Sequence, residues 1–208
     1  MRTLLLLLPL LSVSVFAEYK IEPAGPPPTE VAPAISALLS KTGHKILTTS
    51  GQLYCEIWFV AQPPAGHTSS EVDLMWKTAP PGSVIGALKF HAEGHDRRGQ
   101  IIKPGVYTLR FSMFPINGDH QGVAPNRDFL VIIPAAGDQD PKPVPVFDAL
   151  MKMSRPASGT PHPAVLSMWI VESDFQPGLS QLGESDWVIN HPLGNIKLAL
   201  IIIGKTDL

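Results

Sequence analysis

Short apolar runs separated by turn residues dominate the chain after residue 50. Each run is rich in β-branched or aromatic residues and is bounded by Pro, Gly, Asn or Asp, a pattern typical of β-strands. The predicted strands are 53–61, 72–78, 84–91, 106–114, 129–133, 164–171, 187–190 and 196–203.

Two of these runs differ in the faces that they should bury. Apolar and polar residues alternate along 106–114, with Thr108, Arg110 and Ser112 on the polar side. We therefore expect one face of this strand to be solvated. The run 196–203 is apolar on both faces apart from one lysine, which predicts a strand covered on both sides.

Helical spacing of apolar residues is confined to two short segments. One begins at Ala32 and ends at Gly43, where a helix could be capped, and the other is 144–153. Short strands without long alternating helices predict a mainly β, single-domain antiparallel β-sandwich. We expect it to be immunoglobulin-like or jelly-roll-like, with one or two short helices.

The first residues have the composition of an export signal. A short cationic start precedes an apolar run and then small residues up to Ala17, as in a signal peptide. The run is interrupted by Pro9 and is shorter than the roughly 20 residues that span a bilayer, which favours cleavage over a retained anchor. We divide the chain into a signal peptide (1–17), an extended proline-rich N-terminal arm (18–33) and one β-sandwich domain (34–208). The mature protein should be exported, periplasmic or extracellular, with no integral membrane segment after cleavage.

Composition and charge narrow the classes of partner. The formal net charge of -2 gives no reason to expect nucleic acid. The 22 prolines and 17 glycines, together with 44% hydrophobic residues, fit short strands joined by turns and not a disordered chain.

The one cysteine, Cys55, lies in an apolar run. We expect a buried thiol there, and an intermolecular disulfide is the alternative.

Polar side chains concentrate in the connection that follows the strand 106–114. This connection is longer than a hairpin needs. Its candidate ligand-binding residues are Asn117, Asp119, His120, Asn126, Arg127 and Asp128. Such a set can form a recognition surface, with Arg127 as a fork for an anion and an Asp–His pair for hydrogen bonding or acid/base work. The alternative is an ordered loop in which Arg127 pairs with a neighbouring aspartate and the amides satisfy backbone groups.

A second set of candidate ligands precedes that strand. His67, His91, His95 and Asp96 are residue types that bind zinc or copper. The alternative is a group of exposed side chains in solvated loops. A strand of this length spans roughly 25 to 30 Å. The loops before and after it should therefore lie at opposite ends of the domain and not share one site. If successive strands run antiparallel, His67 should lie at the same end as His91 and His95.

Aromatic residues make a carbohydrate-active protein a further alternative. Four tryptophans lie on predicted strands: Trp58, Trp76, Trp169 and Trp187. Burial in the core is the ordinary reading of each, whereas two exposed on one sheet face would form a platform for sugars. Glu56 lies between Tyr54 and Trp58, a pattern that suits contact with a carbohydrate or a cation.

Catalytic signatures are absent from the sequence. It contains no nucleophile elbow, phosphate loop, dinucleotide fingerprint or zinc-deaminase motif. The sequence therefore favours a non-catalytic binding module that uses the 117–128 loop to bind a small molecule, a glycan or an envelope protein. A metal-binding protein or metal-dependent enzyme that uses His67, His91 and His95 is the alternative. No cofactor is favoured, and a homo-oligomer is compatible with the sequence.

Overall fold

A computed structural model describes residues 19–71, 73–116 and 126–204. The predicted signal peptide and three members of the polar loop, Asn117, Asp119 and His120, lie outside the described residues. Within those ranges no helix has the length and apolar character needed to cross a bilayer.

The fold is mainly β. The strands are β1 (Lys20–Ala24), β2 (Gly43–Leu47), β3 (Leu53–Phe59), β4 (Val84–Phe90), β5 (Gly94–His95), β6 (Ile101–Ile102), β7 (Gly105–Met113), β8 (Asp128–Pro134), β9 (Ala164–Ile170), β10 (Gly178–Leu182), β11 (Asp186–Leu193) and β12 (Ile196–Ile203). The α-helices are α1 (Pro33–Ser36) and α2 (Phe147–Ser158). One 3₁₀ turn, Ala135–Gly137, follows β8.

Ten strands form one antiparallel sheet in the order β1, β2, β3, β4, β7, β8, β9, β12, β11, β10. The short strands β5 and β6 form a separate hairpin in the connection from β4 to β7. Strand β9 turns the sheet, because its first residues pair with β8 and its last residues pair with β12. The sheet curls until side chains of β11 touch those of β2 and β3, and its edge strands β1 and β10 approach each other.

The prediction of a mainly β, antiparallel fold with one or two short helices is confirmed, and the structure has two. Hydrogen bonding runs continuously from β1 to β10 and the curl brings these two edge strands close, which gives the sheet a barrel-like form. A two-sheet sandwich, and its immunoglobulin-like and jelly-roll-like versions, stay predictions.

The main core fills the inside of the curl. Alternate residues of each strand point inward, and Leu109, Phe111, Leu198 and Leu200 are all fully buried there. Cys55 is also inside and fully buried, so the predicted buried thiol is confirmed. Burial raises the pKa of the Cys55 thiol, which keeps it protonated at neutral pH in the absence of a metal ion.

A second apolar layer covers part of the outside of the sheet. Leu150 and Met151 of α2 pack against Val131 of β8 and Val165 of β9. On β12, the residues between the inward positions join a separate buried cluster on the outer face. The prediction that 196–203 is covered on both sides is therefore confirmed.

The prediction of a solvated face on β7 is wrong. Thr108 and Arg110 are 0% exposed and Ser112 is 4% exposed. The chain that follows β8 crosses this face, and Asp138 there forms an ion pair with Arg110 at 2.7 Å. Polar alternation thus marked a buried polar network and not a surface open to water.

Other differences from the predicted elements have local causes. Residues 73–78 form turns and not a strand, because the Asp128 carboxylate accepts the backbone N–H groups of Met75 and Trp76. Helix α2 lies further along the chain than predicted and ends before Gly159, which has a φ of 68°. Strands β1, β2, β5, β6 and β10 were not predicted. Strand β1 lies within the predicted extended arm, and the edge strands β1 and β10 have little apolar sequence to identify them.

Candidate functional site

The β5–β6 hairpin lies over one end of the curl beside a cavity of about 470 Å³. We call this cavity the end pocket. The residues that shape it include Tyr19, Tyr54, Glu93, His95, Ser185 and Ile203. They come from the start of β1, from β3, from the hairpin and from β11 and β12, so the pocket exists only once the curl has formed.

Local sequence explains how the hairpin reaches this position. Gly94 has no side chain, and a Cβ there would lie 2.4 Å from the ring of Phe90. The Asp96 carboxylate accepts the backbone N–H groups of Arg98 and Gln100, both at 3.0 Å, and so closes the hairpin turn. Arg98 also donates to the carbonyl of Pro163 at 2.7 Å, which fixes the hairpin against the start of β9.

One wall of the end pocket is aromatic. The ring centroids of Tyr19 and Tyr54 are 6.0 Å apart, and Trp187 lies 5.5 Å beyond Tyr19 in an edge-on contact. Tyr54 also contacts Phe90 edge-on at 5.6 Å. Burial raises the pKa of the Tyr54 hydroxyl, so this group is neutral across the physiological range. The wall therefore offers ring surface together with neutral hydroxyl groups.

The opposite wall is polar. Glu93 and His95 are exposed side chains of the hairpin, and Ser185 comes from the turn before β11. The next residue, Asp186, is 5% exposed and accepts from the Arg97 side chain at 3.0 Å. This ion pair ties the hairpin to β11 and keeps the two polar segments together.

The structure does not bring the four candidate metal ligands together. His91 Nε2 lies 2.8 Å from the Glu56 carboxylate, His95 borders the end pocket, and Asp96 is buried in the hairpin turn. His67 lies in the connection before β4, whereas the other three follow β4. No group of three or more His, Cys, Asp or Glu side chains within the described ranges is placed to hold a metal ion.

The described members of the polar loop contact the protein itself. Arg127 donates to the carbonyl of Phe114 at 2.7 Å and forms an ion pair with Glu71. Asp128 is fully buried and is an acceptor for two backbone N–H groups. Burial raises the pKa of Asp128, and those two N–H bonds oppose the shift. Asn126 is half-buried.

The tryptophans do not form a shared platform. Trp58 and Trp76 are 2% and 1% exposed. Trp169 and Trp187 are half-buried but lie on different faces, Trp169 beside the outer cluster and Trp187 beside Tyr19.

Sequence reasoning missed one pair of polar residues inside the curl. His44 of β2 and His191 of β11 face each other, with Nε2 of His44 3.3 Å from Nδ1 of His191. The His191 ring stacks on Phe59 with centroids 4.2 Å apart. Burial lowers the pKa of His191 to about 4, with a further contribution from His44, whose own pKa burial also lowers. Both imidazoles are therefore neutral at pH 7.

Spacing in the chain could not reveal this pair. Its members are 147 residues apart, and β2 was not predicted as a strand. No protein-family model, curated protein or solved structure matches the chain. The residues of this chain and their geometry are therefore the basis for its function.

Proposed function

We propose that the protein is a non-catalytic binding protein whose end pocket takes a small polar ligand with one apolar face, such as a sugar residue. The observation that carries this function is the pairing of an aromatic wall, Tyr19 and Tyr54, with a polar wall that includes Glu93 and His95. The ring face of a sugar packs on aromatic side chains, while its hydroxyl groups need hydrogen-bond partners.

The size of the end pocket fits such a ligand. Its volume of about 470 Å³ falls within the range of about 300 to 1,000 Å³ that small-molecule sites occupy. The ligand would be held between fixed walls, because two ion pairs, Arg97 with Asp186 and Arg98 with Asp96, position the hairpin. A preformed site of this kind loses little conformational entropy on binding.

Binding without hydrolysis is favoured by the acids at the pocket. Glycoside hydrolysis by the common mechanisms needs two carboxyl groups on either side of the scissile bond. Glu93 is the one carboxylate among the lining residues within the described chain. The nearby Asp186 is buried against Arg97 and is not presented to a ligand.

Calorimetric titration with a panel of neutral and N-acetylated mono- and disaccharides would test this function. Glu93→Gln should weaken binding about tenfold or more, because it replaces a charge-assisted hydrogen bond by a neutral one. Tyr19→Leu should weaken binding by removing a ring from the aromatic wall. Glu172→Gln is the matched control, since Glu172 is an exposed acid that follows the far end of β9.

Two outcomes would reject the end pocket as the site. One is the absence of binding at about 10 mM for every sugar in the panel, which corresponds to less than about 3 kcal/mol of binding free energy. The other is binding that survives both Glu93→Gln and Tyr19→Leu in correctly folded variants.

The 117–128 loop is a second candidate surface. At its described base a cavity of about 280 Å³ is bordered by Phe114 and Arg127, and Ile116 beside it is 75% exposed. An exposed apolar side chain next to a cavity suits a partner protein of the envelope or a glycan. Alanine at both His120 and Asn126 should abolish that binding in a pull-down with envelope fractions. Unchanged capture of every partner would reject the loop as the surface.

Export is part of the same proposal. The composition of residues 1–17 supports it, and the end pocket begins at Tyr19, two residues beyond the expected cleavage point. Edman sequencing of protein recovered from a periplasmic or culture fraction should start at Glu18. Recovery from the cytoplasm with an intact N-terminus would reject export.

A further inference from the structure

We propose that His44 and His191 form a binding site for a monovalent d¹⁰ cation, Cu(I) or Ag(I), held in line between one nitrogen of each imidazole. The site lies at the seam of the curl, where β2 meets β11. It is separate from the end pocket and does not depend on the ligand proposed for it.

The two rings already present their nitrogens to each other. Nε2 of His44 and Nδ1 of His191 are 3.3 Å apart, and the rings meet at 74° with centroids 5.3 Å apart. Stacking on Phe59 at an interplanar angle of 18° fixes the orientation of the His191 ring. Each imidazole is carried by a strand of the sheet, which is a more rigid support than a loop.

The number of available ligands selects the cation. Zinc takes four ligands in structural sites and three protein ligands in catalytic sites. Among the described residues no third His, Cys, Asp or Glu joins the pair. A monovalent d¹⁰ ion is satisfied by two nitrogens in line, and imidazole is a suitable ligand for copper.

The required movement is small. With metal–nitrogen bonds of about 2 Å, the two nitrogens of an in-line site lie roughly 4 Å apart. The present separation of 3.3 Å must therefore increase by less than about 1 Å. Rotation of two half-buried rings about their side-chain bonds can supply this change.

Protons balance without any release on binding. Each neutral imidazole carries one N–H, and in the metal-free pair one ring donates a hydrogen bond from its N–H to the facing nitrogen of the other ring. When the cation binds, that proton moves to the outer nitrogen of the same ring. The bound form then has N–H groups at Nδ1 of His44 and Nε2 of His191, with no oxidation or reduction.

Cys55 is the competing ligand and must be removed from the experiment. Its thiol binds the same soft ions and loses a proton when it does so. Because Cys55 is fully buried inside the same curl, the Cys55→Ala variant serves as the reference protein for every measurement.

Titration of the Cys55→Ala protein with silver nitrate in chloride-free buffer, followed by ¹⁵N NMR of the histidine rings, tests the site directly. One equivalent should shift Nε2 of His44 and Nδ1 of His191, while the rings of His91 and His162 stay unchanged. Calorimetry in buffers of different ionisation enthalpy should show no proton release.

Substitution gives the second readout. His44→Gln and His191→Gln should each weaken silver binding about tenfold or more, and His162→Gln should leave it unchanged. Binding weaker than about 100 µM, shifts at other histidines, or full affinity in a folded His191→Gln protein would each overturn the site. The NMR result decides the question even where a variant fails to fold.

Discussion

Replacing Arg110 by Met should destabilise the protein by about 3 to 5 kcal/mol, because it breaks a buried ion pair and leaves its partner charged. Arg110 is 0% exposed, so water does not replace the guanidinium contacts. Two of its N–H groups bind the Asp138 carboxylate at 2.7 Å each. The remaining donors bind the backbone carbonyls of Gly82, Asp140 and Lys142.

The size of this loss of stability follows from the Asp138 carboxylate, which Arg110→Met leaves without its cationic partner. Asp138 is 2% exposed and would keep only the Thr108 hydroxyl among its side-chain donors. An isolated charge in such a place costs several kcal/mol. Asp140 and Lys142 are exposed, so their carbonyls can turn to water. The carbonyl of the buried Gly82 keeps its hydrogen bond from the Val144 N–H at 3.2 Å, so the three carbonyls add less than the carboxylate does.

Urea unfolding of single and double variants would measure this effect. The double variant with Arg110→Met and Asp138→Leu should lose less stability than the two single variants combined, because it removes both charges. Lys89→Met is the matched control, since Lys89 forms a surface pair with Glu30 at 3.9 Å and should cost under about 1 kcal/mol. A cost below about 1 kcal/mol for Arg110→Met, or simple additivity in the double variant, would refute this reasoning.

Three further substitutions test local features by urea unfolding. Asp128→Ala should lower the free energy of unfolding by about 2 kcal/mol, because the backbone N–H groups of Met75 and Trp76 lose their carboxylate acceptor. Burial raises the pKa of Asp128 in the folded state, so protonation of this group stabilises the folded wild type, and the alanine variant lacks that contribution. The difference in stability between the two proteins should therefore grow as the pH falls from 6 to 4. Gly82→Ala should cost about 2 kcal/mol or more, because φ is 79° and a Cβ would lie 2.0 Å from the Val144 carbonyl; Gly51→Ala, with φ of 78° in open space, should cost less. Ser154→Ala should cost about 1 to 2 kcal/mol, because its hydroxyl bonds a carbonyl of β8 and an N–H of β9. Equal costs for the two glycines, a Ser154→Ala cost near zero, or a pH-independent Asp128→Ala cost would contradict these expectations.

The central strands could be predicted because strands buried within a sheet need apolar residues, and that composition is visible in the sequence. The run 196–203 coincides with β12, since a strand covered on both faces has to be apolar throughout. Strands β1 and β10 lie at the sheet edges and bury one side at most, so Pro23 and Ser180 there read as loop residues. Edge strands therefore carry too little apolar signal to be distinguished from connections.

One incorrect strand prediction, 72–78, also led to an incorrect position for His67. With 72–78 taken as a strand, His67 was expected at the same end as His91 and His95. Asp128 instead holds 73–78 in turns, which removes one strand from the alternation and moves His67 to the other end. The conformation of residues 73–78 depends on hydrogen bonds to Asp128, which is 53 and 52 positions away from Met75 and Trp76. A local sequence pattern cannot predict such a long-range contact.

The end pocket and the histidine pair could not be predicted from the sequence, because both depend on the curvature of the whole sheet. The contact between Tyr19 and Trp187 and the contact between His44 and His191 form only when the sheet curls far enough to bring its first strands next to β11. Each pair joins residues near opposite ends of the described chain, so its formation depends on closing the whole sheet. A change that opens the seam between β2 and β11 should therefore weaken both sites at once, whereas a change confined to the β5–β6 hairpin should affect the end pocket alone.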